Sequence, residues 1–178
     1  MQPKSRRMVQ ALGPKGLDVA EISGKWGQMF DFKSYEQFWY PAHDICKGPY
    51  LDANGDMRQF DLILANQVWE HLDRPYAATH HVYDMLRPEG YFWVAVPFFV
   101  PMHAAPQDNS RWSARGLTNL LIECGFAEDA IYAEQWGNRD VALRNMEDVW
   151  PPIYDEATDN IKNDPDMPIC SWALAQKV

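Results

Sequence analysis

Two stretches of the chain are continuously apolar through their middles, and they limit the fold more than any other feature. FDLILAN, residues 60 to 66, and YFWVAVPFF, residues 91 to 99, are short, rich in strand-forming residues and bounded by turn signals. A strand with one wet face alternates apolar and polar residues, whereas one that is apolar throughout is buried on both faces, as in a parallel sheet. A helix pattern lies between the two. Asp73 stands at the cap position and Pro75 in the first turn. Ala78, Val82, Met85 and Leu86 form its apolar stripe, and Pro88 and Gly90 are its stop signals. Strand, helix, strand in this order predicts a right-handed crossover between parallel neighbours.

The flanking sequence extends the pattern. Residues 3 to 12 read as a short amphipathic helix ended by Gly13-Pro14, and LDVAEI, residues 17 to 22, as a first strand. A short strand is expected at Phe38 to Tyr40, broken by Pro41. Ser113 is placed to cap a helix with Leu117, Leu120, Leu121 and Cys124 on one face, closed by Gly125. A strand is expected near Ala130 to Glu134, and a last one at residues 169 to 177. Residues 137 to 168 are polar and proline-containing and read as irregular, and no internal repeat is visible. The whole predicts one α/β domain over residues 1 to 178, with 1 to 16 as an N-terminal helix or arm. Ligands of such sheets bind beyond the carboxyl ends of the strands, so the chemistry is expected in residues 23 to 27, 66 to 73 and 97 to 112.

Composition narrows the classes of function. The net charge of −9 repels phosphate backbones at long range and argues against a nucleic-acid partner. No apolar run approaches the roughly 20 residues that cross a bilayer, and the basic N-terminus lacks the apolar core of a secretory signal. Cys46, Cys124 and Cys170 are isolated, which fits a reducing cytoplasm and argues against a structural zinc site. Eight Trp, eight Tyr and eight Phe supply core and, in part, the walls of an organic-ligand pocket.

Four segments carry a likeness to a known family. Glu21-Ile-Ser23-Gly24-Lys25-Trp26-Gly27 is similar to an acid followed by alternating glycines, with two of the three glycine positions replaced and a positive charge at Lys25. FDLILANQVWEHL, LRPEGYFWVAVPF and HAAPQDNSRWSARGLTNLLIECGF follow in order. Together they resemble the class I S-adenosylmethionine-dependent methyltransferases, of the type 11 kind. The resemblance implies a doubly wound, Rossmann-like, mostly parallel sheet with an antiparallel last strand. It implies S-adenosylmethionine as cofactor, with Glu21, Ser23, Gly24 and Gly27 in the loop beside its methionine part. Asp44 would meet the adenine amino group with Ile45 against the ring, and Asn66 and Gln67 would line the methionine side. The stretch from Glu21 to Asp61 is shorter than the two strands and two helices the family fits there, so at least one helix is expected to be reduced or lost.

Methyl transfer is an in-line displacement that often needs a base for the nucleophile's proton. His103 and His71 both follow strand ends and are the candidates, with Asp108 beside them; His80 and His81 are expected at the surface. Asp108 and Arg111 read more readily as a structural ion pair than as catalytic groups. Arg111, Trp112 and Trp69 flank the same loops as candidates for holding the acceptor. Gln67-x-x-Glu70-His71 resembles the E-x-x-E-H metal motif of small-RNA 3′-end ribose methyltransferases and ubiquinone-pathway O-methyltransferases. Glu70, His71 and His103 would be the ligands, but Gln67 replaces the first carboxylate and no metal is expected. Seven acids stand between Glu147 and Asp166 against the single Lys162, as either a solvated loop or an acidic lid.

The expected function is methylation of a small molecule, a sugar or secondary-metabolite intermediate, at oxygen or nitrogen. The expected partner is that acceptor, with a homo-oligomer or a partner enzyme left open. The alternative is a fold of this family that no longer transfers methyl groups and serves as a binding or assembly partner. A dehydrogenase is disfavoured, because residues 21 to 27 do not supply G-x-G-x-x-G.

Overall fold

The computed structural model describes residues 2–104, 106–147, 149–153, 155 and 157–178. Six strands form one sheet: β1 (Asp18–Ile22), β2 (Ser34–Phe38), β3 (Phe60–Asn66), β4 (Leu86–Pro97), β5 (Ile131–Trp136) and β6 (Cys170–Gln176). Their order is β2-β1-β3-β4-β6-β5. The first four run parallel, and β6 is antiparallel to both β4 and β5. This is the mostly parallel α/β sheet with a reversed last strand that the sequence predicts.

The alternation of side chains sorts the core onto two faces. On one face Ala20, Ile22, Ile63, Ala65, Phe92, Val94 and Ala173 pack beneath two helices, α2 (Pro75–Met85) and α3 (Ala114–Glu123). Phe38, Ile45 and Tyr50, from the chain after β2, complete that layer. On the other face Val19, Leu62, Leu64, Trp93, Ala95 and Trp172 meet Val9 of α1 (Gln2–Ala11) and Trp26. Residues 62–65 of β3 and 92–96 of β4 are fully buried, which is why those stretches are apolar throughout.

Several boundaries differ from the sequence reading. The second strand is Ser34–Phe38, not 38 to 40; it is a polar edge strand, and Trp39 and Tyr40 beyond it are exposed. The helix ahead of β4 begins at Pro75, but its cap is Arg74 without a side-chain bond, and Asp73 instead accepts from the Asn109 amide at 3.3 Å. That helix stops at Met85 and β4 starts at once, so Pro88 and Gly90 lie inside a strand. Glu89 there is left-handed at φ 64°, and the pairing with β3 shifts register. The segment read as irregular contains a short helix, α4 (Arg139–Arg144), capped by the Asn138 side chain on the Val141 N–H. His81 is half-buried rather than at the surface, with Nδ1 2.7 Å from the Ile45 carbonyl.

Between β1 and β3 the described residues hold one strand and no α-helix; a single 3-10 turn, Trp26–Met29, follows β1. Aromatic side chains cover the sheet instead. Trp26 stacks flat on Trp93, centroids 4.2 Å apart and planes 4° apart, and Phe30 meets Trp26 edge-on at 5.2 Å. Phe32 and Tyr35 continue the layer, their rings 5.8 Å apart.

Candidate active site

Two non-glycine residues at strand ends hold left-handed backbone, Ser23 after β1 at φ 47° and Gln67 after β3 at φ 58°. Such conformations cost about 1–3 kcal/mol each and persist where neighbours fix them. Ser23 donates its N–H to the Phe38 carbonyl at 2.9 Å and accepts the Tyr40 N–H on its hydroxyl at 3.2 Å. Gln67 donates its N–H to Ala95 of β4 at 2.8 Å. The two turns bend the chain away from the strand ends and open a cleft between them. Its volume is about 290 Å³, and its walls include Ser23, Tyr40, Asp44, Gln67, His71, Asp73 and Gln107. A hollow of about 330 Å³ between Phe99 and α4 is lined by apolar groups and Arg139. Neither Ser23 nor Gln67 lines it.

The predicted loop residues divide. Ser23 faces the cleft, whereas Glu21 does not. Glu21 shares the buried face with Leu64, its register partner, and is fully buried. Its Oε1 accepts the Trp26 N–H at 2.7 Å, and its Oε2 accepts the Gly27 N–H at 2.6 Å and the Tyr35 hydroxyl at 2.5 Å. Burial and this carboxylate push the Tyr35 phenol far up, so it stays a donor. Gly24 and Gly27 make the arrangement sterically open. A Cβ at Gly24 would sit 2.2 Å from Glu21 Oε1, and one at Gly27 would sit 2.8 Å from Oε2. Glu21 thus ties its own loop shut. Lys25 in the same loop is exposed.

The remaining cofactor candidates also separate. Asp44 lines the cleft, while its Oδ1 accepts the Cys46 N–H at 3.0 Å and its Oδ2 lies 3.3 Å from Lys47 Nζ. Ile45 points the other way, into the core. Gln67 lines the cleft, and Asn66 beside it has a buried Oδ1 with no partner among the described residues. Of the acceptor candidates, Trp69 lies in the core, its indole N–H on the Thr79 hydroxyl at 2.9 Å and its ring 5.1 Å from Phe92. Trp112 packs against the core beneath α3, and its carbonyl accepts the Ser171 hydroxyl. Tyr40, Cys46, Leu72, Pro106 and Gln107 are wall residues the sequence reading did not select. They come from loops, and the one sign of them was the Tyr40-Pro41 break at the end of an edge strand.

The histidines meet at one edge of the cleft. The rings of His71 and His103 are 5.1 Å apart and nearly perpendicular. Between them lies Glu70, fully buried, with Oε1 3.5 Å from His71 Nε2 and 3.7 Å from His103 Nε2. Burial pushes its carboxyl up to about 7. Its backbone carbonyl accepts the Asn109 N–H at 2.7 Å, which ties the loop after β3 to the loop after β4. Asp108 accepts the His103 N–H at 2.8 Å and is gripped at both oxygens by Arg111, whose charge holds its carboxyl well below the usual range. Arg111 and Asp108 therefore brace the His103 loop.

The segment after β5 returns over this edge. Trp150 lies 5.0 Å from the His103 ring, and the Asn145 amide donates to the Phe99 carbonyl at 2.9 Å. Three of its acids serve its own turns: Asp159 pairs with Arg144, Asp155 Oδ1 accepts the Ala157 N–H, and Asp164 Oδ1 accepts the Asp166 N–H. Asp148 and Glu156 of the acidic run lie outside the described residues.

A family model described as a methyltransferase domain matches residues 5–129. No curated protein is significantly similar to the chain. Among solved structures, a SAM-dependent methyltransferase from Thermotoga maritima superposes with a TM-score of 0.61 at 14% identity, over 98% of this chain and 88% of that one. The 1,6-didemethyltoxoflavin-N1-methyltransferase of Burkholderia thailandensis, solved with its acceptor and S-adenosylhomocysteine, gives a TM-score of 0.61 at 12% identity, over 99% of this chain and 77% of that one. A methyltransferase from Haloferax volcanii, in complex with its Trm112 activator, gives 0.55 at 12% identity, over 98% and 92%. At these identities the likeness is one of fold. No helix among the described residues is long and apolar enough to cross a membrane.

Proposed function

The chain belongs to the methyltransferase domain family and is an S-adenosylmethionine-dependent methyltransferase; from that premise we propose that its acceptor is a small molecule, methylated at oxygen or nitrogen in the cleft between β1 and β3. The observation that carries this reading is the pair of left-handed turns at Ser23 and Gln67. They bend the backbone aside at the strand ends, where sheets of this kind bind ligands, and leave a hollow near the lower size limit of small-molecule sites. The Burkholderia neighbour, a 1,6-didemethyltoxoflavin-N1-methyltransferase, supports the acceptor class by analogy of fold.

In this reading Ser23 and Gln67 flank the methionine part of the cofactor, with Asn66 behind Gln67, and Asp44 and Tyr40 lie toward its adenosine. Glu21, Gly24 and Gly27 act one step removed, by fixing the loop that carries Ser23. The acceptor enters beside His71, with His103 behind it and Asp108 positioning His103. The segment around Trp150 covers that side.

Calorimetric titration with S-adenosylhomocysteine tests the assignment, on the wild type and on Gln67→Gly. Glycine accepts φ 58° without strain, so this variant deletes a cleft wall while leaving the turn intact. Micromolar binding to the wild type and a fall of about tenfold in the variant are expected for one lost polar contact of roughly 1–1.5 kcal/mol. A folded wild type that does not bind, or a variant that binds equally well, would remove the cleft from consideration.

A further inference from the structure

The hollow between Phe99 and α4 has apolar walls that the fold holds in place and leaves uncovered. Phe99, Ala142, Leu143, Met146 and Met167 line it, and its volume of about 330 Å³ falls in the range of small-molecule pockets. Leu143 and Met146 are each more than half exposed. Single exposed apolar side chains need no explanation, whereas a contiguous exposed apolar patch marks a place where something binds.

Two buried asparagines fix those walls. Asn138, 4% exposed, accepts the Val141 N–H on its Oδ1 and donates its amide to the Asn160 and Lys162 carbonyls at 2.8 and 3.0 Å. Asn145, 3% exposed, stands at the other end of α4 and donates to the Phe99 carbonyl at 2.9 Å. Gly137 lets the chain before the helix lie close on residues 167 to 169, where a Cβ would stand 2.3 Å from the Met167 carbonyl oxygen. Burying a polar side chain costs free energy that only good partners offset. Here those partners hold a six-residue helix, too short to persist by itself, opposite Phe99. The helix so placed presents Leu143 and Met146 to the hollow instead of to the core.

Arg139, the remaining wall residue, gives the hollow its charge. It is exposed and has no hydrogen-bond or ion-pair partner among the described residues. Acids near it in sequence are committed elsewhere: Asp140 accepts the Asn160 amide at 2.9 Å, and Asp159 pairs with Arg144. A guanidinium is a planar fork of donors that matches a carboxylate at two points. We propose that the hollow binds a small organic carboxylate with an apolar body, the body lying against Phe99, Leu143 and Met146 and the carboxylate on Arg139. The two methionines suit such a ligand, because their flexible thioethers adapt to bodies of different shape. A neutral apolar molecule would leave the arginine unused, and an anion with no apolar part would meet one exposed cation, which holds it weakly. Neither Ser23 nor Gln67 lines the hollow, so the proposal does not rest on the reading of the other cleft as the methyl-transfer site.

The test is calorimetry of the wild-type chain with 4-phenylbutyrate and with its neutral counterpart, 4-phenylbutanamide. One equivalent of the carboxylate is expected to bind, about fivefold more tightly than the amide, as one exposed charge pair allows. Arg139→Gln should abolish that preference and leave amide binding unchanged. Leu143→Ser should weaken both ligands by about fivefold or more. Both side chains are exposed, so neither change threatens the fold. A folded wild type that does not bind the carboxylate, or binds it no more tightly than the amide, overturns the proposal. So does a preference that survives Arg139→Gln, or an affinity that survives Leu143→Ser. Sedimentation of the same samples distinguishes the other occupant. A wild-type dimer that Leu143→Ser dissociates would show that a second copy covers the hollow and would overturn the assignment; a wild type whose oligomeric state Leu143→Ser leaves unchanged supports it.

Discussion

Replacing Tyr35 with phenylalanine isolates what Glu21 does. The Tyr35 ring lies against Gly27 and stacks beside Phe32, and phenylalanine preserves both contacts. What is lost is one donor, the hydroxyl 2.5 Å from Glu21 Oε2. Oε2 keeps the Gly27 N–H at 2.6 Å, and Oε1 keeps the Trp26 N–H at 2.7 Å. A hydrogen bond to a charged group contributes about 1.5–3 kcal/mol, and removing the donor leaves a buried carboxylate undersatisfied. The expected destabilisation of Tyr35→Phe is therefore about 1.5–3 kcal/mol, or roughly 3–10 °C in melting temperature for a chain of this size. Glu21→Gln should cost more, because its amide would set a donor against the Trp26 and Gly27 N–H groups. The two changes share one carboxylate, so the double variant should fall well short of additive. Urea denaturation gives the stabilities, and calorimetry with S-adenosylhomocysteine gives the affinity, expected to stay within about twofold in Tyr35→Phe given the intact N–H contacts. If Tyr35→Phe is as stable as the wild type but binds the product tenfold more weakly, Glu21 faces the ligand and the loop-closing account is wrong. Glu21→Ala cannot make that distinction, because it would open the loop and weaken binding under either account.

Three further outcomes follow from the same contacts. Gly24→Ala places a Cβ 2.2 Å from Glu21 Oε1; displacing the carboxylate from the Trp26 N–H should cost about 2–4 kcal/mol in urea denaturation. Trp26→Ala strips the stack on Trp93 and should cost about 3–5 kcal/mol, enough to show as partial unfolding by near-ultraviolet dichroism. Asp18 is held at about 2, chiefly by the Ser34 hydroxyl and then by Lys33, against an ordinary 3.8. A carboxyl lowered by folding leaves the unfolded chain binding more protons, so its stabilisation is complete above about pH 4 and is lost as the pH falls toward about 2. In Asp18→Asn, urea midpoints measured down through that window should lack this component of the decline.

The parts of the fold legible in the sequence are those in which local chemistry and burial agree. FDLILAN and the middle of β4 are apolar on both faces because both faces are covered, and α3 carries its cap, stripe and closing Gly125 in adjacent residues. The second strand was misplaced because apolar content was the wrong guide at an edge. SYEQF is half-exposed along most of its length, while the apolar Trp39 and Tyr40 beyond it face solvent. The α4 helix went unread because it is six residues long and its one sign, the Asn138 cap, sits in a polar stretch. At the site, strand-end position identified Ser23, Gln67 and His71 as neighbours, since a parallel sheet places successive strand ends side by side. Position alone cannot say which way a strand-end acid turns. Glu21 turns into its own loop because Gly24 and Gly27 leave room there and Tyr35, one strand over, offers a hydroxyl; that is a relation between strands, invisible along one of them.

The shortened middle raises a different question: how the cleft survives the loss of the helices that ordinarily back it. The cleft rests on β1, β3 and β4, whose ends are locked to each other by backbone bonds such as Gln67 to Ala95, rather than on the missing elements. What the helices would have covered is the sheet face of Leu62, Leu64 and Trp93, and aromatic side chains cover it instead. Trp26 of the turn, Phe30 and Phe32 of the chain after it, and Tyr35 of β2 stand within ten residues of one another, and a ring buries more apolar area per residue than a helical turn of small side chains. This gives the tryptophan inside the glycine loop a purpose. Its backbone N–H holds Glu21 while its ring seals the sheet beneath. The same residue thereby couples the loop after β1 to the core, and a loop so anchored can do without the two glycines that the family's usual pattern would place there.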